Sequence, residues 1–255
     1  MELNDKITAI ITGGASGLGE ATARNLAAYN VKVGLFDLDE TRGKSLATEL
    51  GGIFAKVDVS DSNSVAAGFE TCRSENGQER ILVNCAGVAS SARTVSKGKS
   101  LDASEFERVI RINLLGTFLC ASTAAAGMSA LKPLGPDNER GVIVNTASIA
   151  AYEGQIGQVA YAASKAGVIG MTLPMARDLS RDGVRVITIA PGIFETPMLR
   201  GLSKEVQESL ARQVPFPPRL GDPSEYAALV AHIARNRLLN GETIRLDGAA
   251  RLAIR

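Results

Sequence analysis

A tyrosine and a lysine four positions apart, Tyr161 and Lys165, are the residues best suited to proton transfer. The surrounding sequence predicts a helix over residues 158–172, which would place both side chains on one face, one turn apart. A free phenol has a pKa near ~10, and a neighbouring ammonium group favours the phenolate. A tyrosine tuned in this way would take a proton from an alcohol or return one to a ketone.

Ser148 ends a β-rich run that begins at Gly141. A strand end beside a cleft would bring the Ser148 hydroxyl close to the phenol. Because a tyrosine and a lysine at this spacing occur by chance on many helices, the interpretation requires a hydride carrier elsewhere in the chain.

A glycine-rich segment supplies a candidate site for that carrier. Residues 7–11 form a β-branched run, Thr12 to Gly19 is rich in glycine, and a helix pattern continues to Ala28. A strand, a glycine turn and a helix together are the context of a dinucleotide-binding loop, where backbone N–H groups meet a pyrophosphate. A tight turn that needs glycine for positive φ would account for the same residues.

The next predicted strand, residues 31–36, ends at Asp37, which lies 18 residues past Gly19. A carboxylate at this place accepts hydrogen bonds from the adenosine ribose and repels a 2′-phosphate. The nearest following basic residue is Arg42. The sequence therefore favours NAD over NADP, and a solvated helix-capping aspartate is the alternative.

Strands and helices alternate along the chain. Further strands are predicted at residues 53–57, 80–83, 141–148, 184–190 and 243–247. Helices are predicted at residues 20–28, 41–50, 61–73, 102–119, 158–179, 203–213 and 224–235, the fifth of them continuing past Pro174 with a kink. Repeated βα units predict a doubly wound parallel sheet of Rossmann type in a single domain, residues 1–255.

Two segments interrupt the alternation. Residues 90–100 form a polar loop whose basic residues Arg93, Lys97 and Lys99 would meet an anionic substrate or stay solvated. Residues 194–223 contain a stiff proline-rich stretch that would act as a lid. Asn113 lies inside a predicted helix, where asparagine is unfavourable, so we expect a polar reason for it.

Composition limits the other functions. The chain has 255 residues, 45% apolar and 22% charged, with a net charge of +1, so no nucleic-acid surface is indicated. We identified no apolar stretch near the roughly 18 residues that span a bilayer. The N-terminus runs directly into a strand, and Cys72, Cys85 and Cys120 show no disulfide or metal spacing, so a cytoplasmic, metal-free protein is predicted. His232, the only histidine, is assigned to packing or to the surface.

Several motifs occur together in one order and spacing. They are Thr12-Gly-x-x-x-Gly-x-Gly19, Asn84-x-Ala-Gly87, Asn113, Ser148, Tyr161-x-x-x-Lys165 and Pro191-Gly192. This pattern resembles the short-chain dehydrogenases/reductases over essentially the whole chain. Cys85 departs from it, since many members have a second asparagine there. The resemblance implies a seven-stranded parallel sheet with helices on both faces. It also implies a homotetramer paired through the long helices and the last strand.

The resemblance also implies roles for individual residues. Ser148, Tyr161 and Lys165 would be catalytic, and Asn113 would anchor a water that passes the proton outward. The substrate would contact Ser148, Gln155 and Tyr161. The implied cofactor-binding residues are Gly13, Ser16, Gly17, Leu18, Gly19, Asp37, Asp58, Val59, Asn84, Cys85, Ala86, Gly87, Tyr161, Lys165, Pro191, Phe194 and Thr196.

Further segments, including residues 154–158, 213–217 and 240–249, resemble the branch of this family that acts on 3-hydroxyacyl-CoA thioesters. The implied activity is NAD-dependent interconversion of an L-3-hydroxyacyl-CoA, including 2-methyl-branched ones, and a 3-ketoacyl-CoA. Three alternatives stay open. They are an NADPH-dependent ketoacyl-thioester reductase, a hydroxysteroid or secondary-alcohol dehydrogenase, and a non-catalytic scaffold, which the intact Ser148, Tyr161 and Lys165 disfavour.

Overall fold

A parallel sheet of seven strands forms the centre of the molecule, a computed structural model that describes residues 1–200 and 204–254. The strands are β1 (Thr8–Thr12), β2 (Lys32–Asp37), β3 (Ile53–Lys56), β4 (Ile81–Asn84), β5 (Gly141–Thr146), β6 (Val184–Pro191) and β7 (Thr243–Leu246). Their order in the sheet is β3-β2-β1-β4-β5-β6-β7. The order reverses between β1 and β4, so a crevice opens at the carboxyl ends of these two strands.

Helices cover both faces of this sheet. They are α1 (Gly17–Ala27), α2 (Glu40–Leu50), α3 (Ser62–Asn76), α4 (Ala103–Ile110), α5 (Gly116–Ser129), α6 (Val159–Asp178), α7 (Pro197–Arg200), α8 (Lys204–Ala211) and α9 (Pro223–Arg235). This arrangement confirms the predicted Rossmann-type fold. Helix α6 continues through Pro174, as predicted, and His232 lies exposed on α9.

The central strands are mostly apolar because both of their faces are buried. In β1, Ile10 packs with α3 and α5, whereas Ala9 and Ile11 face α1 and α9. All three residues are fully buried. Successive side chains of a strand point to opposite faces, so a strand covered on both sides reads as a continuous apolar run.

The predicted helix over residues 102–119 proves to be longer and less regular. A π-helical turn, Arg111–Leu115, joins α4 to α5, and the helical stretch continues to Ser129. By length and composition alone, the helical stretch Ala103–Ser129 is long and apolar enough to cross a membrane. Our sequence-based expectation that the chain has no such stretch was therefore wrong. Its buried side chains, such as Cys120 and Met128, pack instead into the core beside the sheet and α3.

The predicted polar loop at residues 90–100 contains an antiparallel hairpin, Val95–Ser96 paired with Lys99–Ser100. Its turn residues Lys97 and Gly98 have φ angles of 51° and 75°. Two successive left-handed residues form the turn type that matches the twist of paired strands. The sequence signal was weak because lysine, rather than asparagine or aspartate, precedes the glycine.

Candidate active site

A cavity of about 660 Å³ lies at the carboxyl edge of the sheet, where the strand order reverses. Predicted site residues that line it are Gly13, Ser16, Gly17, Leu18, Gly19, Asp37, Asp58, Val59, Cys85, Ala86, Gly87, Ser148, Gln155, Tyr161, Lys165, Pro191, Phe194 and Thr196. Residues from seven separate segments of the sequence therefore meet around one crevice.

The glycine-rich loop is shaped by close backbone packing. A Cβ atom on Gly19 would lie 2.1 Å from the Gly13 carbonyl oxygen, and one on Gly13 would lie 2.8 Å from the Ala86 nitrogen. Gly13 and Gly17 also have positive φ angles of 63° and 55°. Three glycines are thus required for three different reasons: helix packing, strand packing and the left-handed turn.

Helix α1 begins at this loop with a free N-terminus facing the cavity. Ser16, the residue before its first turn, makes no side-chain capping bond within the described residues. The first N–H groups of α1 have no acceptor from such a cap, and the helix dipole adds a partial positive charge there. This end of the cavity suits a phosphate group.

Asp37 stands at the end of β2 and is held by two backbone donors. Its Oδ2 accepts from the Ala15 N–H at 3.0 Å, and its Oδ1 accepts from the Asp39 N–H at 3.0 Å. The nearest following cation, Arg42, pairs with Glu20 at 3.4 Å. The carboxylate is fixed in orientation, with lone pairs left to receive hydroxyl donors.

Lys165 and Tyr161 project from α6 into the opposite end of the cavity. The Lys165 Nζ atom lies 5.7 Å from the centre of the Tyr161 ring. The same Nζ donates to the backbone carbonyl of Thr146, the last residue of β5, at 2.8 Å. Ser148 follows two residues later, and its Oγ accepts from the Ala150 N–H at 3.1 Å. The predicted cluster of three side chains is therefore assembled.

Burial controls the pKa values of both titratable residues in this cluster. It raises the pKa of Tyr161, and a hydrogen-bonding interaction with Ser148 lowers it in part. It lowers the pKa of Lys165 to about 8. The net shift of the Tyr161 pKa is therefore upward, opposite to the net lowering expected from the sequence, because burial of the ring penalises the phenolate.

Two predicted residues, Asn84 and Asn113, lie behind the cavity wall and are buried. The Asn84 amide donates to Asn145 Oδ1 at 2.9 Å and joins β4 to β5, and Asn84 is not among the residues that line the cavity. Asn113 donates to the Val88 carbonyl at 2.9 Å and to Ser164 Oγ at 3.0 Å. These bonds are the polar reason expected for an asparagine inside a helix.

The cavity extends toward the polar loop through Gln155. This side chain donates to the Ala253 carbonyl at 3.1 Å, so the C-terminal segment is attached to the site. A second cavity of about 470 Å³ shares Gln155 and is lined by Arg93 and Val95. The Ala92 N–H donates to the Gly157 carbonyl at 2.9 Å and connects its two walls.

The predicted lid begins at Phe194, whose backbone pairs with Gly221 at the far end of the same segment. The Glu195 N–H donates to the Gly221 carbonyl at 2.9 Å. Leu199 and Leu210, from the two short helices of this segment, line the main cavity. Residues 201–203 of the predicted lid lie outside the described residues.

Comparison with known proteins agrees with this geometry. Residues 7–207 match the family described as short chain dehydrogenase. The chain belongs to the short-chain dehydrogenase family. It is 51% identical to a 3-hydroxyacyl-CoA dehydrogenase type-2 of Drosophila melanogaster, over 95% of this chain and 96% of that protein. It is 48% identical to the Homo sapiens protein of the same name, over 96% and 95% of the two chains.

A solved structure gives the same result. The 3-hydroxyacyl-CoA dehydrogenase type-2 from Mycobacterium avium is 44% identical, with a TM-score of 0.93 and coverage of 98% of each chain. As a short-chain dehydrogenase, this protein is an oxidoreductase that uses a nicotinamide cofactor. No group of three or more potential metal ligands occurs among residues 1–200 and 204–254.

Sequence reasoning did not identify Thr146, whose carbonyl accepts from the Lys165 ammonium, or Tyr226, which contacts Thr146. The Thr146 hydroxyl lies 2.7 Å from the Tyr226 hydroxyl, and Tyr226 comes from α9, 80 residues further along the chain. Thr146 had a weak signal, since it precedes Ser148 by two positions on a strand that ends at the crevice. Tyr226 had none, because an aromatic residue on an amphipathic helix reads as core.

Proposed function

We propose that this short-chain dehydrogenase interconverts an L-3-hydroxyacyl-CoA and a 3-ketoacyl-CoA, with NAD as the hydride carrier. The observation that carries the proposal is the meeting of Ser148, Tyr161 and Lys165 in one cavity whose far end holds Asp37. The relatives at 51% and 48% identity bear the name of this activity. A substrate of this class would assign the enzyme to fatty-acid metabolism.

The cavity fits a dinucleotide. The tightly packed glycines leave room for backbone close to a pyrophosphate, and the uncapped first turn of α1 supplies N–H donors. Asp37 would accept from the adenosine ribose, and Lys165 would hold the nicotinamide ribose with the donors that Thr146 does not use. The other proposed lining contacts are Gly13, Ser16, Gly17, Leu18, Gly19, Asp58, Val59, Cys85, Ala86, Gly87, Tyr161, Pro191, Phe194 and Thr196.

Tyr161 is proposed to move the proton of the substrate C3 oxygen, and Ser148 to hold that oxygen by a hydrogen bond. Burial keeps the phenol protonated at neutral pH, which suits proton donation to a ketone. A bound oxidised nicotinamide would accept the hydride, and its positive charge would favour the phenolate that alcohol oxidation requires. Lys165, beside the ring, stabilises the phenolate that remains after proton donation. The proposed water at Asn113 would carry the proton outward.

The choice of NAD over NADP rests on Asp37. A 2′-phosphate placed on the ribose would meet this carboxylate, and like charges repel strongly at such distances. Arg42 would have to leave Glu20 before it compensated that charge. NADH should therefore support much faster turnover than NADPH, and equal rates with the two cofactors would contradict this part of the proposal.

The thioester is supported by the second cavity and the loop beside it. Arg93, Lys97 and Lys99 are exposed, and no ion pair of theirs is found in the described part of the chain. A CoA ester carries phosphates that cations of this kind attract. Val95 and Ile156 add exposed apolar surface for an extended acyl-pantetheine arm. Residues 194–223 would form the lid over this substrate.

The test is a spectrophotometric assay of NADH consumption with acetoacetyl-CoA, branched ketoacyl-CoAs, free ketones and ketosteroids. Tyr161→Phe should bind NADH normally and lose turnover by roughly 10²–10⁴. Tyr152→Phe is the matched control, because Tyr152 is 49% exposed, packs on Arg245 and is not among the residues that line the cavity of Tyr161. Near-normal activity of Tyr161→Phe would remove the mechanism, and equal rates with free ketones would remove the thioester.

The proposal includes a homotetramer and a cytoplasmic location. Leu115, Phe118 and Leu173 are large apolar side chains left 37–46% exposed on the long helices, a surface suited to a second copy. The three cysteines are free thiols, as in a reducing compartment. Size-exclusion chromatography with light scattering should give a tetramer, and Phe118→Asp should give a smaller species.

A further inference from the structure

A chain of buried hydroxyl groups lies directly behind Lys165. The lysine Nζ donates to the Thr146 backbone carbonyl at 2.8 Å. The hydroxyl of the same threonine lies 2.7 Å from the Tyr226 hydroxyl and also donates to the Asn84 carbonyl. Tyr226 has no exposed surface. One residue, Thr146, therefore connects the lysine of α6 to a tyrosine of α9.

The direction of these bonds follows from the number of protons available. The Asn84 carbonyl can only accept, so the single Thr146 hydroxyl proton goes to it, and Thr146 must accept from Tyr226. The Cys85 thiol in turn donates to the Tyr226 oxygen at 3.7 Å. Burial raises the pKa of Tyr226 and of Cys85, so both keep their protons at neutral pH. The Thr146 proton thus goes to the Asn84 carbonyl and the Tyr226 proton goes to Thr146, while the Cys85 thiol lies 3.7 Å from both hydroxyl oxygens.

We propose that Tyr226 is a positioning residue, whose hydroxyl fixes Thr146 and, through the Thr146 carbonyl, fixes the ammonium group of Lys165. A lysine side chain has several rotatable bonds, and this carbonyl is the hydrogen-bond acceptor that holds it within the described residues. Tyr226 is well placed for the task, because α9 packs against α1, the helix that begins at the glycine loop. The position of the Lys165 ammonium is thereby fixed relative to the glycine loop at the dinucleotide end of the site.

The pKa of Lys165 can be used to detect a change in its hydrogen bond to Thr146, because few titratable groups face it. The titratable groups that face it are Tyr161 from its own helix and Cys85 from the end of β4. Loosening Thr146 would weaken the hydrogen bond that the charged lysine donates. Since that bond favours the charged form, its weakening lowers the lysine pKa further below its present value of about 8.

The experiment compares Tyr226→Phe with wild type in steady-state reduction of acetoacetyl-CoA across pH, together with NADH affinity by calorimetry. Loss of one neutral hydrogen bond should lower kcat about 3- to 10-fold. The pH at which activity falls should move down by about 0.5 unit. NADH affinity should weaken about 3-fold, because Lys165 is proposed to hold the ribose.

Thr188→Val is the matched control. Thr188 makes a buried hydroxyl pair with Thr172 that touches neither Thr146 nor Lys165. This variant should lower Tm about as much as Tyr226→Phe while leaving the pH profile and NADH affinity unchanged. If Tyr226→Phe also leaves them unchanged, its hydroxyl only stabilises the fold and the proposal is overturned.

A double variant tests the route through Thr146. If Tyr226 acts only by fixing Thr146, Thr146→Val with Tyr226→Phe should be no less active than Thr146→Val alone, whereas independent effects would multiply. Multiplying effects would overturn the proposal. The inference rests on the proposed function for its kinetic readout. If wild type reduces no thioester, the proposed function fails alone, and the NADH affinity of Tyr226→Phe still decides the inference.

Discussion

Replacement of Lys165 by methionine should change the pH dependence of stability in a direction set by the burial of the charge. Lys165 is 5% exposed, and its pKa falls from the ordinary 10.5 to about 8. A shift of this size corresponds to about 3 kcal/mol of penalty on the charged form. Because the folded-state pKa lies below the unfolded-state value, the penalty is fully present below about pH 8 and fades as the pH rises toward the unfolded-state value.

The pH-dependent penalty on the Lys165 charge can be separated from the cost of losing its hydrogen bond, because only the first changes with pH. Methionine removes the charge but leaves the Thr146 carbonyl without its donor, which costs about 1–3 kcal/mol at every pH. The linkage relation predicts that wild type gains about 2 kcal/mol relative to Lys165→Met between pH ~7 and pH ~9.5. For a chain of this length, that difference corresponds to roughly 4–8 °C in Tm.

The assay is urea or thermal unfolding of both proteins at equal concentration at the two pH values. An exposed lysine, Lys132, provides the control, since Lys132→Met should differ from wild type by a nearly constant amount. If the stability of Lys165→Met runs parallel to that of wild type across this range, the lysine is not a buried cation with a lowered pKa, and the reasoning fails. Turnover should be lost in either case.

Three other changes have defined outcomes. Gly19→Ala should destabilise the glycine loop and abolish dinucleotide binding, because its Cβ would lie 2.1 Å from the Gly13 oxygen. Gly170→Ala is the control, since its Cβ would meet open space and the change should be neutral or stabilising. Calorimetric titration with NADH distinguishes the two variants. Asp37→Ser should lower kcat/KM with NADH and raise it with NADPH by about 10-fold each, and an unchanged cofactor ratio would contradict the role of the carboxylate. The rate of ketone reduction should fall as pH rises through about 8, where Lys165 loses its proton. The rate of alcohol oxidation should rise with pH, because this direction needs the phenolate. Rate–pH profiles in both directions test this.

Local patterns made much of the fold and site predictable. The strands lie within two residues of their predicted positions because fully buried parallel strands read as short apolar runs. The glycine loop and Asp37 were recognisable because their spacing along the chain is set by one βαβ unit. Tyr161 and Lys165 were recognisable because one helix carries both.

What sequence could not provide depended on distant contacts. The bond between Thr146 and Tyr226 joins residues 80 positions apart, and the assembled fold alone brings them together. The direction of the Tyr161 pKa shift depends on how much protein surrounds the ring, which has no local signature. Asn84 belonged to a recognised motif, yet its side chain points into the sheet toward Asn145.

The amide pair between Asn84 and Asn145 has a consequence for how the sheet assembles. These residues are directly opposite in the register of β4 and β5, and both are buried. A slip by one residue would break the bond from the Asn84 amide to Asn145 Oδ1, and a buried group left unsatisfied costs about 1–3 kcal/mol. The pair therefore favours the alignment in which the carboxyl ends of β4 and β5 are level at the edge where the crevice opens.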